Sequence, residues 1–306
     1  MKVFITGGTG FVGTSLIKGL ISEGCDITVL TRKIRDDKPA HKSVLFIKGD
    51  PTIRGEWQKG LADADVVINL AGASIFRRWT EKSKKAIRDS RVLTTQNIVE
   101  GIKSFKEKDI FLLNASAVGY YGFHGDEDIL EDSPPGDDFL AIVCKKWEAA
   151  AHEAVQYGAR VAVCRFGIVL GKNGGALRMM LPLFKLWMGS RLGNGKQWFS
   201  WVHEQDLVNI ILFLIKKKGI SGPVNCTSPE PVQNKEMTRI LKTVLNKPSI
   251  MPPVPGFMMK IILGEFGNIL LKGQRVLPDR LGEMGYRFLF PDIQGAMEDI
   301  IRKDQV

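Results

Sequence analysis

Three glycines near the start of the chain, Gly7, Gly10 and Gly13, have a spacing that can bring a polypeptide backbone close to phosphate groups. They stand between an apolar run, 2–6 (KVFIT), and a run with helical spacing, 11–24. In such a strand–helix turn the first glycine permits a tight turn, the second a close approach to a pyrophosphate, and the third close packing of helix on strand. The free N–H groups and dipole of the helix favour the same anion. The spacing therefore predicts a dinucleotide site, with a plain glycine-rich turn as the alternative.

The end of the second predicted strand indicates which dinucleotide is bound. An NAD site has an Asp or Glu about 20 residues after the glycines, where it holds the ribose 2′-hydroxyl. Here that strand ends with Thr31, Arg32 and Lys33, and the acidic residues follow only at 36–37. A guanidinium can bind a 2′-phosphate through two hydrogen bonds and stack on adenine. The sequence therefore favours NADP(H), with Arg32 as an ordinary surface charge as the alternative.

The elements that must position these residues alternate between strand and helix. Strands that are apolar on both faces and alternate with helices indicate an α/β fold with a doubly wound parallel (Rossmann) sheet. The pattern loosens after about residue 172. We expect a Rossmann domain of residues 1–171, to which 201–226 returns, and a smaller C-terminal substrate-side or lid domain, 172–306. The predicted strands are 2–6, 26–32, 43–50, 64–72, 109–116 and the first part of 159–171, and the predicted helices are 11–24, 80–104, 139–158, 176–189 (interrupted by Pro182) and 203–217.

The composition excludes several classes of protein. The 306 residues have a formal charge of +10, and 44% of them are hydrophobic, which is enough for a sizeable core. No run of about 18 apolar residues predicts a membrane span, and the N-terminal residues do not have the pattern of a signal peptide. The basic run 76–91 contains Glu81 and Asp89, which favours a solvated helix face over a nucleic-acid surface. We expect a small-molecule substrate, no nucleic-acid or membrane partner, and an oligomeric state that the sequence leaves open.

The four cysteines stand singly, at Cys25, Cys144, Cys164 and Cys226. They form no C-x-x-C pair, and no histidine lies near one at metal-ligand spacing. A disulfide framework or a metal site is therefore not predicted. We expect free thiols in a reducing, cytoplasmic environment.

Two later segments have unusual compositions. Residues 124–138 (HGDEDILEDSPPGDD) hold many carboxylates, but the two prolines and low apolar content predict an exposed flap over the pocket rather than an acid/base pair. Residues 251–267 (MPPVPGFMMKIILGEFG) are rich in methionine, which is more typical of a core than of a ligand surface.

Several motifs, taken in order, resemble the extended short-chain dehydrogenase/reductases. More specifically, the chain resembles the atypical subgroup called epimerase family proteins, over nearly all of its length. The resemblance implies a Rossmann fold, an NADP-type cofactor and a C-terminal domain of unknown function, and it brings no agreed substrate. The motifs are TGGTGFVG (6–13), NLAG (69–72), RRW (77–79), DSRVLTT (89–95), ASAVGYYG (115–122), RFGIVLG (165–171), WVHEQDL (201–207) and GYRFLFPDIQGAMEDII (285–301).

The resemblance also implies a cofactor-binding set along the carboxyl ends of the strands. The implied contacts are Thr9, Gly10, Phe11 and Val12 for the pyrophosphate, Thr31 and Arg32 for the adenosine phosphate, Asp50 for adenine, Leu70, Ala71 and Gly72 for the ribose, Arg91 for the cofactor from the basic helix, and Phe166 and Gly167 for the nicotinamide.

Reductases of this class usually carry a Tyr-x-x-x-Lys pair, in which the lysine lowers the pKa of the tyrosine and holds the ribose. This sequence has no tyrosine between residues 122 and 156. Alignment on Glu148 puts Leu140 and Cys144 at the two positions, and a shift by one puts Ala141 and Lys145 there. The lysine alone is therefore retained, as Lys145, in the second alignment.

Two other residues are candidates for the chemistry. Ser116 matches the usual polar serine at the end of the fifth strand, and Tyr120 follows it closely enough to act as the acid, unless it only packs against the pocket wall. The sequence thus predicts an NADP(H)-dependent oxidoreductase or epimerase-like enzyme that acts on an unidentified small carbonyl or sugar-like substrate. The alternative is a catalytically silent NADP(H)-binding sensor or partner-recognition protein, because the Tyr-x-x-x-Lys pair is missing.

Overall fold

Short strands alternate with helices in the computed structural model, which describes residues 1–34, 41–105, 109–172, 174–247 and 251–302. The strands of these ranges are β1 (Lys2–Thr6), β2 (Asp26–Thr31), β3 (Val44–Lys48), β4 (Val66–Asn69), β5 (Phe111–Ala117), β6 (Asp128–Ile129), β7 (Arg160–Phe166), β8 (Ile168–Gly171), β9 (Gly174–Gly175), β10 (Trp198–Phe199), β11 (Trp201–His203), β12 (Gly222–Cys226), β13 (Val232–Gln233) and β14 (Arg275–Val276).

Seven of these strands form one parallel sheet in the order β3-β2-β1-β4-β5-β7-β12. The chain builds outward from β1 in one direction and then, from β4, in the other, so the predicted doubly wound parallel sheet is confirmed. In such a sheet a crevice opens where the order reverses, at the carboxyl ends of β1 and β4. The sequence analysis missed the edge strand β12, because its residues (GPVNC) include glycine, proline and asparagine, which are poor strand formers tolerated at an edge.

Helices cover both faces of the sheet, because each strand buries alternate side chains in opposite directions. Val3 and Ile5 enter a core with α1 and α5, whereas Phe4 enters a core with α2 and α3. A third core joins α4, α6 and α10 around Trp201. The helices are α1 (Phe11–Ser22), α2 (Glu81–Lys103), α3 (Phe139–His152), α4 (Leu177–Lys185), α5 (Glu204–Lys216), α6 (Asn234–Leu245), α7 (Gly256–Leu263), α8 (Glu265–Leu270), α9 (Asp279–Glu283) and α10 (Ile293–Arg302).

Three expectations for the later half need correction. Helix α4 continues through Pro182, because burial of Leu177 and Phe184 in the third core offsets the lost hydrogen bond. The end of the run 159–171 is not a loop: β8 and β9 form an antiparallel hairpin. The methionine-rich segment is not all core either, since Phe257 and Ile261 of α7 are 65% and 70% exposed.

No helix in the described part of the chain is long and apolar enough to cross a membrane. The division into domains near residue 172 stays a prediction.

Candidate functional site

A cavity of about 750 Å³ opens at the carboxyl ends of β1, β2, β3 and β4. We call it the dinucleotide-sized cavity. It brings together predicted cofactor residues from four separate loops, namely Gly7, Thr9, Gly10, Thr31, Arg32, Asp50, Leu70, Ala71 and Gly72. The other predicted cofactor residues, Phe11, Val12, Gly13, Arg91, Phe166 and Gly167, do not border it.

The glycines of the first loop are required by the backbone. Gly7 has φ +72°, and a Cβ there would lie 2.6 Å from the Leu70 backbone. A Cβ at Gly13 would lie 2.6 Å from Gly8 Cα, in the contact between helix and strand. Gly10 is the N-cap of α1 and offers no side chain to the first N–H groups of the helix. Because these groups have no intrahelical acceptor, the mouth of α1 can bind an anion.

Positive charge gathers at the far end of the same cavity. Arg32 and Lys33 are exposed and border it at the end of β2. Asp50 is the one carboxylate among the described residues that line the cavity, and its Oδ1 accepts hydrogen bonds from the amide and hydroxyl of Thr52 at 2.9 and 2.7 Å. The acidic residues at 36–37 lie outside the described residues. The balance at this end therefore favours an anionic group on the ligand.

Sequence reasoning missed two residues of α2, Ser90 and Thr94, that also border the cavity. Ser90 Oγ accepts from the Ala73 amide at 2.9 Å and so fixes the loop after β4. Thr94 is buried, and its hydroxyl has no hydrogen-bond partner among the described residues. The sequence did contain a sign of this. Ser90 and Thr94 are four residues apart in the motif DSRVLTT, a spacing that puts both on one face of a helix.

Arg91 of α2 lies beside the cavity rather than in it. Its Nη1 donates to the Ala73 and Ile87 carbonyls at 3.0 Å each, and its guanidinium is 5.2 Å from the Trp147 ring. A Cβ at Gly72 would lie 3.0 Å from Arg91 Cζ, which is why that position is glycine. Burial lowers the pKa of Arg91.

A second polar cluster occupies the carboxyl ends of β5, β7 and β12. Arg165 donates through Nε and Nη2 to the two Glu148 oxygens at 3.0 and 2.9 Å, and through Nη1 to Tyr121 Oη at 2.8 Å. Ser116 Oγ donates to Glu148 at 2.6 Å, and Tyr121 Oη donates to Asn225 at 2.7 Å. These five residues, which we call the closed network, are linked by hydrogen bonds that satisfy one another.

Two members of the closed network have raised pKa values. Burial raises the pKa of Tyr121 to about 12, although Arg165 opposes the shift, so the phenol is neutral at neutral pH. Burial alone would lower the pKa of Arg165, but its hydrogen bonds and ion pair with Glu148 raise it above the ordinary value. Tyr121 and Arg165 therefore keep their protons near pH 7 and are poor proton donors.

The predicted catalytic residues fall in three different environments. Ser116 is buried inside the closed network. Tyr120 is half-buried, and its ring centroid is 3.6 Å from Arg165 Cζ. Lys145 is exposed on α3, whereas the neighbouring Cys144 is buried. The structure therefore does not bring Lys145 to Ser116 and Tyr120, because it lies one position away from the buried face of its helix.

In the alignment on Glu148, Cys144 and Leu140 take the places of the usual lysine and tyrosine. Cys144 is buried, and burial, with Glu148 nearby, raises the pKa of its thiol to about 11. Leu140 carries no titratable group. The described part of α3 thus offers neither an acid nor a cation at these two places.

Phe166 and Gly167, at the end of β7, meet later segments of the chain. The Gly167 amide donates to the Cys226 carbonyl at 3.1 Å, and a Cβ at Gly167 would lie 2.9 Å from the Ser200 carbonyl oxygen.

All four cysteines are free and buried. No cluster of His, Cys, Asp and Glu within the described ranges could hold a metal ion.

Comparison with known proteins gives a consistent result along the chain. Residues 3–226 match the NAD dependent epimerase/dehydratase family, and residues 254–300 match a domain of unknown function, DUF1731. The chain is 40% identical over 308 residues to the epimerase family protein SDR39U1 homolog, chloroplastic, of Arabidopsis thaliana, covering 99% of this chain and 87% of that protein. It is 37% identical over 302 residues to the epimerase family protein YfhF of Bacillus subtilis, covering 98% of each.

A solved structure supports the same assignment. Human epimerase family protein SDR39U1, crystallised with NADPH, superposes with a TM-score of 0.85 at 31% identity, covering 99% of both chains. The resemblance inferred from the motifs is therefore confirmed. This chain belongs to the NAD dependent epimerase/dehydratase family and, within it, resembles the epimerase family proteins that end in a DUF1731 segment.

Proposed function

We propose that this protein binds NADP(H) in the dinucleotide-sized cavity and acts as an NADP(H)-dependent oxidoreductase or epimerase-like enzyme on a small carbonyl or sugar-like substrate. One observation carries the proposal: the uncapped mouth of α1 and the cations Arg32 and Lys33 border the same cavity. Phosphate groups at both places would suit a dinucleotide with a 2′-phosphate. The human relative crystallised with NADPH supports this choice.

The residues present fit such a cofactor. The turn at Gly7 and Gly10 brings the loop backbone to the edge of the cavity, and the first N–H groups of α1 would hold the pyrophosphate. Arg32 and Lys33 would hold the 2′-phosphate, and Leu70, Ala71 and Gly72 would lie along a ribose. When bound, NADP(H) supplies or accepts a hydride.

Tyr120 is the proposed proton donor or acceptor of the reaction. The closed network holds the Ser116 hydroxyl, and Lys145 is exposed elsewhere. No hydrogen bond to the Tyr120 hydroxyl forms among the described residues, and the half-buried ring is held in place by Arg165. Tyr120 is therefore the residue best placed to give a proton to a substrate oxygen or take one from it.

A second candidate is a catalytically silent NADP(H)-binding sensor or partner-recognition protein, favoured because neither alignment of α3 keeps the Tyr-x-x-x-Lys pair. The protein is mixed with NADPH or NADP and a wide panel of small carbonyl compounds and nucleotide sugars. NADPH absorbance reports net reduction or oxidation, and chromatography of the sugars reports epimerisation, which consumes no cofactor. Either reaction, if Tyr120→Phe abolishes it, supports the enzyme. Tight cofactor binding with neither reaction across the panel supports the sensor.

Cofactor choice is tested by titrating the protein with NADPH and NADH and following fluorescence. We expect the wild type to prefer NADPH. Arg32→Ala should weaken NADPH binding by about 10- to 100-fold, since charge-assisted hydrogen bonds contribute about 1.5–3 kcal/mol, and should leave NADH binding nearly unchanged. Arg239→Ala is the control, because Arg239 is exposed on α6 and pairs with Glu236. Tighter binding of NADH than NADPH by the wild type would overturn the assignment.

A further inference from the structure

A glycine-rich hairpin from later in the chain surrounds the side chain of Phe11, the first residue of α1. A Cβ at Gly171 would lie 2.7 Å from Phe11 Cζ, one at Gly174 would lie 2.5 Å from Phe11 Cδ2, and one at Gly175 would lie 3.2 Å from Phe11 Cε1. A side chain at Gly171 or Gly174 would collide with the ring, and at Gly171 also with Glu204, whereas Gly175 has φ +64° and a Cβ there would first meet the Val169 carbonyl oxygen. We call Gly171, Gly174 and Gly175 the glycine socket.

Strand pairing connects the socket to the rest of the fold. Its two strands pair with each other through Gly171 and Gly174, and β8 pairs in parallel with β11. Strand β11 leads directly into α5, whose Glu204 accepts a hydrogen bond from Ser15 Oγ. The first and second turns of α1 are therefore held by one continuous unit, through the Phe11 ring and the Ser15 hydroxyl.

The position of this first turn decides where the free N–H groups of α1 point. The ring of Phe11 and its N–H group belong to the same residue, so a shift of the ring also shifts the mouth of the helix. Hydrogen bonds weaken steeply with distance and misalignment, and a well-packed contact has no spare room for an added methyl group. A small change in the socket would therefore reach the phosphate-binding groups without touching a ligand.

We infer that the glycine socket is a positioning element for the pyrophosphate of the cofactor, acting through Phe11. The inference rests on the proposed function and assigns a role in cofactor affinity to Gly171, Gly174 and Gly175, which do not border the cavity. Through the socket, the unit formed by β8, β9, β11 and α5 contributes to binding at the mouth of α1.

The experiment compares two ligands with the variant Gly174→Ala. NADPH contains the pyrophosphate, whereas adenosine 2′-monophosphate contains the 2′-phosphate without it. We expect Gly174→Ala to weaken NADPH binding by about tenfold or more and to leave the affinity for adenosine 2′-monophosphate unchanged. Gly282→Ala is the matched control, since a Cβ there meets nothing within 4 Å and both affinities should stay at the wild-type values.

A double variant separates positioning from simple loss of stability. Phe11→Ala removes the ring, so adding Gly174→Ala to it should cause little further loss of NADPH affinity, because the new methyl group then has room. Equal loss of both ligands in Gly174→Ala, or wild-type NADPH binding by that variant, would overturn the inference. If the wild-type protein binds neither ligand, the proposed function itself fails, which is a distinguishable result.

Discussion

Two polar regions lie at the same carboxyl edge of the sheet, and they differ in whether their hydrogen bonds are already made. Among the described residues, the dinucleotide-sized cavity leaves three kinds of group without a protein partner: the uncapped N–H groups of α1, the exposed Arg32 and Lys33, and the Thr94 hydroxyl. The closed network uses its groups internally, from Ser116 through Arg165 to Asn225. A buried polar group without a partner costs free energy unless a ligand or water satisfies it.

This difference explains why the two regions suit different roles. The cavity is open and incomplete, which fits a place for a bound molecule. The closed network is buried and complete among the described residues, and it ties β5, β7, β12 and α3 together beside Tyr120. The network therefore stabilises the fold around Tyr120 instead of supplying protons.

The largest expected effect comes from breaking the closed network. Glu148→Ala leaves the Arg165 charge buried without its partner, so we expect the free energy of unfolding to fall by about 3–5 kcal/mol. Urea denaturation followed by circular dichroism measures this change. Glu236→Ala, which breaks the exposed pair with Arg239, should cause little change. An equally small loss for Glu148→Ala would remove the contrast between the two regions.

The cavity was largely predictable from the sequence because it depends on backbone geometry, which requires glycine at particular positions. A tight turn, close helix packing and a free helix mouth each demand glycine at a particular place, and Gly7 and Gly13 meet those demands with a positive φ and close contacts. The doubly wound parallel sheet followed from alternating strands and helices in the same way, although its edge strand β12 was missed. Thr94 was not predicted as a cavity residue, because the residue type does not show whether a hydroxyl has a hydrogen-bond partner.

The closed network could not be predicted, because its members come from separate segments of the chain. Glu148 was used only to align α3, and Arg165 was read only as part of a motif. Ser116 was a candidate for the chemistry, and nothing in the sequence indicates that its hydroxyl donates a hydrogen bond to Glu148. Pairings across 17 to 104 residues depend on sheet order and helix rotation, which residue spacing does not give.

The segment 124–138 is another place where a contact between distant residues could not be predicted from the sequence. It was expected to be an exposed flap, but Glu131 is 6% exposed, and its Oε1 accepts from the Asn225 amide at 3.0 Å. Burial raises the pKa of Glu131, so above its ordinary pKa the folded state binds more protons than the unfolded state. Stability therefore decreases as the pH rises through the interval between the unfolded and folded pKa values.

Glu131→Gln should remove this pH dependence. Relative to the wild type, the variant should gain free energy of unfolding as the pH rises through that interval, with a smaller effect than in Glu148→Ala. Urea denaturation at a series of pH values measures the difference. A difference that stays constant with pH would mean that Glu131 titrates alike in both states.

The smallest expected effect is a gain in the free energy of unfolding, opposite in sign to the loss expected for Glu148→Ala. It is seen by comparing two neighbouring threonines of α2. Thr95 Oγ1 donates to the Arg91 carbonyl at 2.8 Å and accepts from Asn69 at 2.8 Å, whereas the Thr94 hydroxyl has no partner in the described part of the chain. Without ligand, Thr95→Val should lower the free energy of unfolding by about 1–3 kcal/mol, and Thr94→Val should raise it by up to about 1 kcal/mol. Urea denaturation of both variants measures the two signs. A loss of stability in Thr94→Val would show that its hydroxyl is already satisfied in the free protein, and the cavity would then be as complete on this side as the network is.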